Sequence, residues 1–352
     1  MRETGVTLVD AKRLCFIVAI IITILILPGC LGPDKTVEAA RGTPTTDDIA
    51  TSPRVMTSLP ATPTGVPTPS APPTVATSTP SPAPRPDDEG PTTADITTFH
   101  YQLQGATLTS LKALDVDVLV IDVDDANLSD TEVSELKEDG TVVLSYLSIG
   151  EAEEYRGYWK EGWRVGDPSF IDAENPEWKG NFKVRYWDEG WQAIILERIR
   201  KISGKGYDGV YLDIIDAYWY YESRGRETAA GEMVELVQRI KSEGTALDLG
   251  FVVVAQNAPE LYEHAEYREA IDGFGKEDTW YNDDDVQDAE ETTFVLPHLE
   301  RAIVDGKFVL SIDYPTEPQK VCDFYTRCRE HRFACTVSGR GLDQPRPVPC
   351  EG

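Results

Sequence analysis

Two carboxylates stand where a glycosidic bond could be cut. Asp213 closes the apolar run Gly209-Val210-Tyr211-Leu212, and Glu277 follows Gly273-Phe274-Gly275-Lys276. Hydrolysis of such a bond needs one carboxyl that keeps its proton for the leaving oxygen and a second that is ionised, with the bond held between them. Polar groups recur at the ends of other apolar runs: Tyr146 to Glu151, Gln256-Asn257 and Asp313-Tyr314. Asp216, three residues beyond Asp213, reads as turned outward once its strand has ended. Glu151, in Gly150-Glu151-Ala152-Glu153-Glu154, reads equally as a substrate contact or as a carboxylate at a helix start. Aromatic side chains follow two of the runs, Tyr218, Trp219, Tyr220 and Tyr221 after one, Trp280 and Tyr281 after another. Sugar rings stack their apolar faces on such side chains, so these aromatics read as ligand platforms. The candidate substrate contacts are Tyr146, Glu151, Arg156, Asp216, Tyr218, Trp219, Gln256, Asn257, Lys276, Trp280, Tyr281, Asp313 and Tyr314.

Other chemistries lack their residues. No glycine-rich loop leads into Lys-Ser or Lys-Thr, which removes a P-loop. The four histidines, His100, His264, His298 and His331, are scattered, with no His-x-x-x-His. Asp283-Asp284-Asp285 lacks the alternating ligands and closing glutamate of an EF-hand and reads as a solvated loop. No metal and no cofactor is expected.

The elements that must hold these residues are legible as eight apolar runs: Phe99–Gly105, Val116–Asp124, Val142–Gly150, Gly209–Asp216, Phe251–Asn257, Ile271–Gly275, Phe308–Tyr314 and Phe333–Val337. Between them lie stretches with helical spacing, Gly190–Ile202, Gly231–Lys241, Pro297–Val304 and one near Ser129–Glu138 that opens with a capping sequence. Strands alternating with helices predict a (β/α)8 TIM barrel over residues 96–352, a length typical of that fold, with a doubly wound sheet as the alternative. Polar residues at strand ends then gather at one face. The third connection, Gly150 to Gln192, is long and aromatic and would sit over that mouth.

Residues 1–95 are of another kind, holding 15 of the 24 prolines. Lys12 and Arg13 precede the apolar run Leu14–Leu27, which is shorter than the roughly 20 residues of a membrane span and has the size of a signal-peptide core. It ends Leu27-Pro28-Gly29-Cys30, similar to a bacterial lipobox except for Pro28, where a small or β-branched residue is usual. Residues 1–30 therefore read as a signal segment with lipidation at Cys30. A cleaved signal and an uncleaved anchor are the alternatives, and all three place the folded part outside the cytoplasm, as a surface lipoprotein or a secreted protein. Residues 31–95, rich in Pro, Thr and Ser, cannot bury enough apolar area to offset chain entropy and are expected to be a disordered tether.

The net charge of −28 falls mostly after residue 95. It argues against nucleic acid, whose phosphates need a basic face, and suits a cationic ligand or simple solubility. Cys322, Cys328, Cys335 and Cys350 cluster at the C-terminal end and predict two disulfides, with three pairings open. A zinc site is the weaker reading because no Cys-x-x-Cys occurs. No exposed apolar helix face suggests assembly, so a monomer is expected.

The segments Tyr146-Leu147-Ser148-Ile149-Gly150-Glu151-Ala152-Glu153 with Tyr155-Arg156, Gly206 to Asp213, Gln256-Asn257, and Gly275-Lys276-Glu277-Asp278 together resemble glycoside hydrolase family 114, the endo-α-1,4-polygalactosaminidase type, over about residues 98–338. The resemblance implies a (β/α)8 barrel that cleaves within a polymer of α-1,4-linked, partly N-acetylated galactosamine. By motif position it puts the catalytic carboxylates on Asp213, as nucleophile or ionised group, and Glu277, as acid/base. It also implies a polysaccharide partner that is cationic where unacetylated. A non-catalytic carbohydrate-binding surface protein and a hydrolase of another amino-sugar polymer are the alternatives.

Overall fold

The computed structural model describes residues 96–344 and Cys350. The expected signal segment, Cys30 and the tether 31–95 lie outside the described residues. Three parallel strands open the main sheet, β1 (Phe99–Gln102), β2 (Val118–Ile121) and β3 (Val142–Ser148). The long third connection folds into its own antiparallel sheet of β4 (Glu151–Glu153), β5 (Ile171–Glu174) and β6 (Asn181–Val184). The main sheet resumes with β7 (Gly209–Asp213), β8 (Val252–Gln256) and β9 (Gly273–Glu277). A short hairpin, β10 (Tyr281–Asn282) and β11 (Asp285–Val286), precedes β12 (Phe308–Asp313) and β13 (Ala334–Val337).

Spatial order follows chain order, β1-β2-β3-β7-β8-β9-β12-β13, and Thr98 bridges in parallel to Cys335 where the last strand returns to the first. A doubly wound sheet would reverse its strand order at a switch point. This one does not, and the fold is the (β/α)8 barrel that the sequence predicts.

The strands read as unbroken apolar runs because both of their faces are buried. Tyr101, Val120, Leu144, Tyr211, Val254 and Ile312 form one cluster inside the barrel. Their chain neighbours Ile121, Val143, Val210, Leu212, Val253 and Ala255 belong to a second cluster, with Ile195, Ile199, Met233, Leu236 and Ile240 of the surrounding helices. Those helices are Glu189–Gly204 and Ala229–Leu247, each longer than the predicted stretch. Ser129 caps the helix Asp130–Leu136 in a reciprocal box with Glu132, as its sequence predicts. The helix expected to begin at Pro297 begins instead at Ala289, where the Asp288 side chain accepts the Glu290 N–H at 2.7 Å, and it runs through the proline to Val304. The cysteines pair as Cys322–Cys350 and Cys328–Cys335, which selects one of the three open connectivities. Among the described residues no helix is long and apolar enough to cross a membrane.

Candidate active site

Asp213 and Glu277 end β7 and β9, which flank β8, so both carboxyls are delivered to the C-terminal mouth of the barrel. Asp213 Oδ2 accepts the Tyr146 hydroxyl at 2.8 Å, and Oδ1 accepts the Ile214 N–H at 2.7 Å. Ile214 takes a left-handed φ of 58°, a conformation a β-branched residue adopts only when its surroundings enforce it. Gly150 explains part of that enforcement. A Cβ placed there would lie 2.2 Å from the Ile214 carbonyl oxygen and 2.6 Å from Ala217 Cβ. The glycine of the Ser-Ile-Gly-Glu segment thus lets the chain after Asp213 pack directly on the chain after β3.

Glu277 is held from the ends of the two strands that flank β9. Gln256 Nε2 donates to Oε2 at 2.6 Å, the Tyr314 hydroxyl donates to Oε1, and the Glu277 N–H reaches Asn257 Oδ1 at 3.4 Å. Tyr101 donates in turn to Gln256 Oε1 at 3.4 Å. Tyr101 and Tyr211 fill the barrel beneath the acids with ring centroids 5.0 Å apart. Gly275 makes room for Tyr211, whose hydroxyl would lie 2.0 Å from a Cβ there.

Burial pushes both carboxyls up. Asp213 is pushed up to about 8, first by desolvation and then by the charge of Glu277, against the hydrogen bonds from Tyr146 and Ile214. Desolvation also raises Glu277, while Tyr314, Lys276 and Arg340 oppose the rise. Two carboxyls in one dry site cannot both ionise cheaply, so the charge of one holds the proton on the other. The cations Lys276 and Arg340 stand on the Glu277 side, which favours the charge there. The family resemblance orders the two charges the other way.

Asp216 corrects its expectation: it is not turned outward. It stands at the start of the helix Ala217–Glu222 without capping it, and burial, with Glu151, Glu260 and Glu277 nearby, raises it to about 6 against the opposing charge of Lys183. Glu151 is on strand β4, not at a helix start. Its Oε1 accepts Asn175 Nδ2 at 2.9 Å and Lys183 Nζ at 3.2 Å, while Oε2 is buried with no hydrogen-bond partner among the described residues. Trp219 is 41% exposed beside this group, its indole N–H donating to Glu260 Oε1 at 2.8 Å.

Several expected contacts belong to the scaffold instead. Trp280 is buried against Phe324, Phe333 and His331, and the Tyr281 hydroxyl donates to Asp323 Oδ2 at 2.6 Å. Neither is a platform for a sugar. Tyr218 is buried and donates to Glu260. Asp313 accepts three main-chain N–H groups, from Thr279, Trp280 and Tyr281, at 2.7 to 2.9 Å, fixing the turn after β9. Arg156 is buried between Asp122 and Glu153, with its guanidinium carbon 5.9 Å from the Tyr146 ring centroid, so it steadies the residue that holds Asp213. Lys276 is buried with Nζ turned to the Glu277 carbonyl oxygen. In the largely exposed loop Asp283-Asp284-Asp285, Asp284 also accepts the Thr316 and Glu317 N–H groups ahead of the helix Pro318–His331. Among the described residues no three His, Cys, Asp or Glu side chains gather as a metal site.

The pattern of glycoside-hydrolase family GH114 matches residues 77–350. The chain belongs to this family. Two relatives, both uncharacterised proteins, are 33% identical over 265 residues in Deinococcus radiodurans, covering 74% of this chain and 85% of that one, and 32% identical over 264 residues in Methanocaldococcus jannaschii, covering 69% and 76%. Among solved structures, the glycoside hydrolase domain of PelA from Pseudomonas aeruginosa superposes with a TM-score of 0.58 at 17% identity, covering 71% of this chain and 97% of that one. Aspergillus fumigatus Ega3, in complex with galactosamine, superposes with a TM-score of 0.58 at 18% identity, covering 73% and 95%. Both share the barrel.

In this GH114 barrel the residues that sequence reasoning missed are Tyr101, Lys183, Tyr211 and Glu260. Tyr101 carried a usable signal, since a phenol inside an otherwise aliphatic strand usually bonds its hydroxyl, as Tyr101 does to Gln256, whereas the Tyr211 hydroxyl is buried with no hydrogen-bond partner among the described residues. Lys183 carried none, because the β4–β6 pairing that brings it to Glu151 joins residues about thirty positions apart.

Proposed function

We propose that this chain is an exported, surface-tethered hydrolase that cuts internal α-1,4 bonds of a galactosamine-containing polysaccharide with Asp213 and Glu277. The observation that carries the reading is the buried pair at the ends of β7 and β9, each carboxyl held by a tyrosine and raised by burial. A pair of carboxyls so placed can divide the roles of acid and anion. One carboxyl protonates the glycosidic oxygen as its bond to the anomeric carbon breaks, the other, ionised, attacks that carbon or takes a proton from the water that attacks it, and water supplies the new hydroxyl. The family supports glycoside hydrolysis. Galactosamine bound by Ega3 supports the sugar, and Asp216, Glu151 and Glu260 supply the negative surroundings that an ammonium sugar favours. The apolar run Leu14–Leu27 followed by Cys30 supports export and a lipid anchor, with 31–95 as the tether, and two disulfides suit an oxidising compartment. We take the enzyme to act as a monomer.

The test is mass spectrometry of soluble products from a partly deacetylated α-1,4-galactosamine polymer, with Asp213→Asn and Glu277→Gln beside the wild type. Oligosaccharides are expected from the wild type, and turnover is expected to fall by about three orders of magnitude or more in each variant. Full activity in either variant would remove its residue from the mechanism. An aryl galactosaminide with a good leaving group then assigns the acid, because the variant lacking the proton donor retains most of its activity on that substrate.

A further inference from the structure

The chain beyond β13 returns to the mouth. Its main chain is fixed beside the end of β1, where the Leu342 carbonyl accepts the Leu103 and Gln104 N–H groups at 2.8 and 3.1 Å and the Asp343 carbonyl accepts Gln102 Nε2 at 3.0 Å. From this strap Arg340 reaches Asp278 with two N–H groups at 3.0 and 2.9 Å, Asn282 Oδ1 at 2.7 Å and Asp283 at 3.1 Å. Its guanidinium carbon also stands 4.0 Å from the centroid of the Tyr314 ring. Tyr314 is the phenol that donates to Glu277, and Asp278 is the residue after Glu277, in a left-handed φ of 52°. One side chain therefore grips two of the residues beside Glu277.

We propose that Arg340 is a positioning residue for Glu277, holding the Tyr314 ring in place by stacking and neutralising Asp278 so that Glu277 keeps its charge and its aim. The inference rests on Glu277 being one of the reacting pair. An isolated, exposed ion pair would contribute little. Arg340 is different in kind, since a forked guanidinium on a carboxylate combined with ring stacking fixes geometry as well as charge. The groups that face Glu277 are Asp213 and Asp216 from β7 and beyond, Tyr101 and Tyr211 from inside the barrel, Gln256 from β8, Lys276 and Asp278 on its own strand, and Tyr314 after β12. Lys276 is turned toward a main-chain oxygen, and Arg340 is the cation that reaches Glu277 through side chains touching it. Removing Arg340 would leave the Asp278 carboxylate unpaired beside Glu277 and free the Tyr314 ring to tilt.

The experiment compares the full secreted chain with Arg340→Gln and Arg340→Lys, reading the titration of the Glu277 carboxyl carbon by 13C NMR and the kcat and KM on polymer. In Arg340→Gln the Glu277 midpoint should rise by about half a unit to one unit and kcat should fall about tenfold, with KM within about twofold. Arg340→Lys keeps the charge without the fork, so its midpoint should stay within about 0.3 units while kcat falls roughly threefold. An unchanged Glu277 midpoint in folded Arg340→Gln overturns the proposal. Should that variant fail to fold, a wild-type kcat in Arg340→Lys overturns it. The titration needs no turnover, so a wild type inert on the polymer would count against the proposed function while leaving the link from Arg340 to Glu277 to be read directly.

Discussion

Tyr146 and Asp213 sit on neighbouring strands two register positions apart, Tyr146 opposite Tyr211 and Ser148 opposite Asp213, and the phenol crosses that diagonal to donate to Oδ2 at 2.8 Å. The contact favours the ionised carboxylate, opposing the burial that drives Asp213 toward its neutral form. Tyr146→Phe should therefore raise the Asp213 pKa further and lower kcat roughly ten- to hundredfold, the worth of a hydrogen bond to a charged group. Rates measured across pH would show it, and a variant with wild-type kcat would deny the contact a role.

The same burial sets a pH dependence of stability. Asp213 has its ordinary value of 3.8 when unfolded and is pushed up to about 8 when folded, so the folded protein binds the extra proton between those values. Stability from this group is full below about pH 4 and is lost as pH rises through about 8. Asp213→Asn, which cannot ionise, should then gain in thermal midpoint relative to the wild type as pH goes from about 5 to about 8. A difference independent of pH would mean that Asp213 is not buried as described.

Gly150 offers a test of the turn rather than of the chemistry. A methyl group there would overlap the Ile214 carbonyl oxygen, with main chain on both sides of the contact. Gly150→Ala should destabilise the protein by about 1–3 kcal/mol in denaturant unfolding and lower activity with it, because relief can come only by moving the segment that carries the Ile214 N–H. Unaltered stability would show that this packing is looser than the geometry implies.

Charge should govern how the polymer arrives. With a net −28 and Asp216, Glu151 and Glu260 at the mouth, kcat/KM on a deacetylated polymer should fall several-fold as salt rises from about 50 to about 300 mM, while a fully acetylated polymer shows little change. Equal salt responses for both polymers would exclude steering.

The barrel strands were legible because a parallel strand buried on both faces leaves a short, β-branched apolar run bounded by turn residues, as in Val252–Gln256. The carboxyl pair was legible for a related reason: a charge that ends such a run has nowhere to go but the mouth. The sheet in the third connection was not. Glu151-Ala152-Glu153 has too little apolar content to announce a strand, and its partner, Phe182 opposite Ala152, is set by tertiary pairing. Trp280 misled because an aromatic after a strand looks the same whether solvent or Phe324 and Phe333 lie beyond it, and those two come from the last helical unit and the chain leading into β13. Arg340 had no signal at all. Its partners Asp278 and Asp283 lie about sixty residues earlier, and only the return of the chain beyond β13 brings them together.

The Cys328–Cys335 disulfide fastens the strand that bridges to Thr98, so it lies at the seam where the ring of strands meets itself. β1 comes early in the chain and β13 near its end, and without β13 the first strand would keep one open edge. The crosslink joins residues seven apart and ties β13 to the helix before it, so it stiffens the strand that covers that edge. It therefore acts as a brace on the strand that closes the ring.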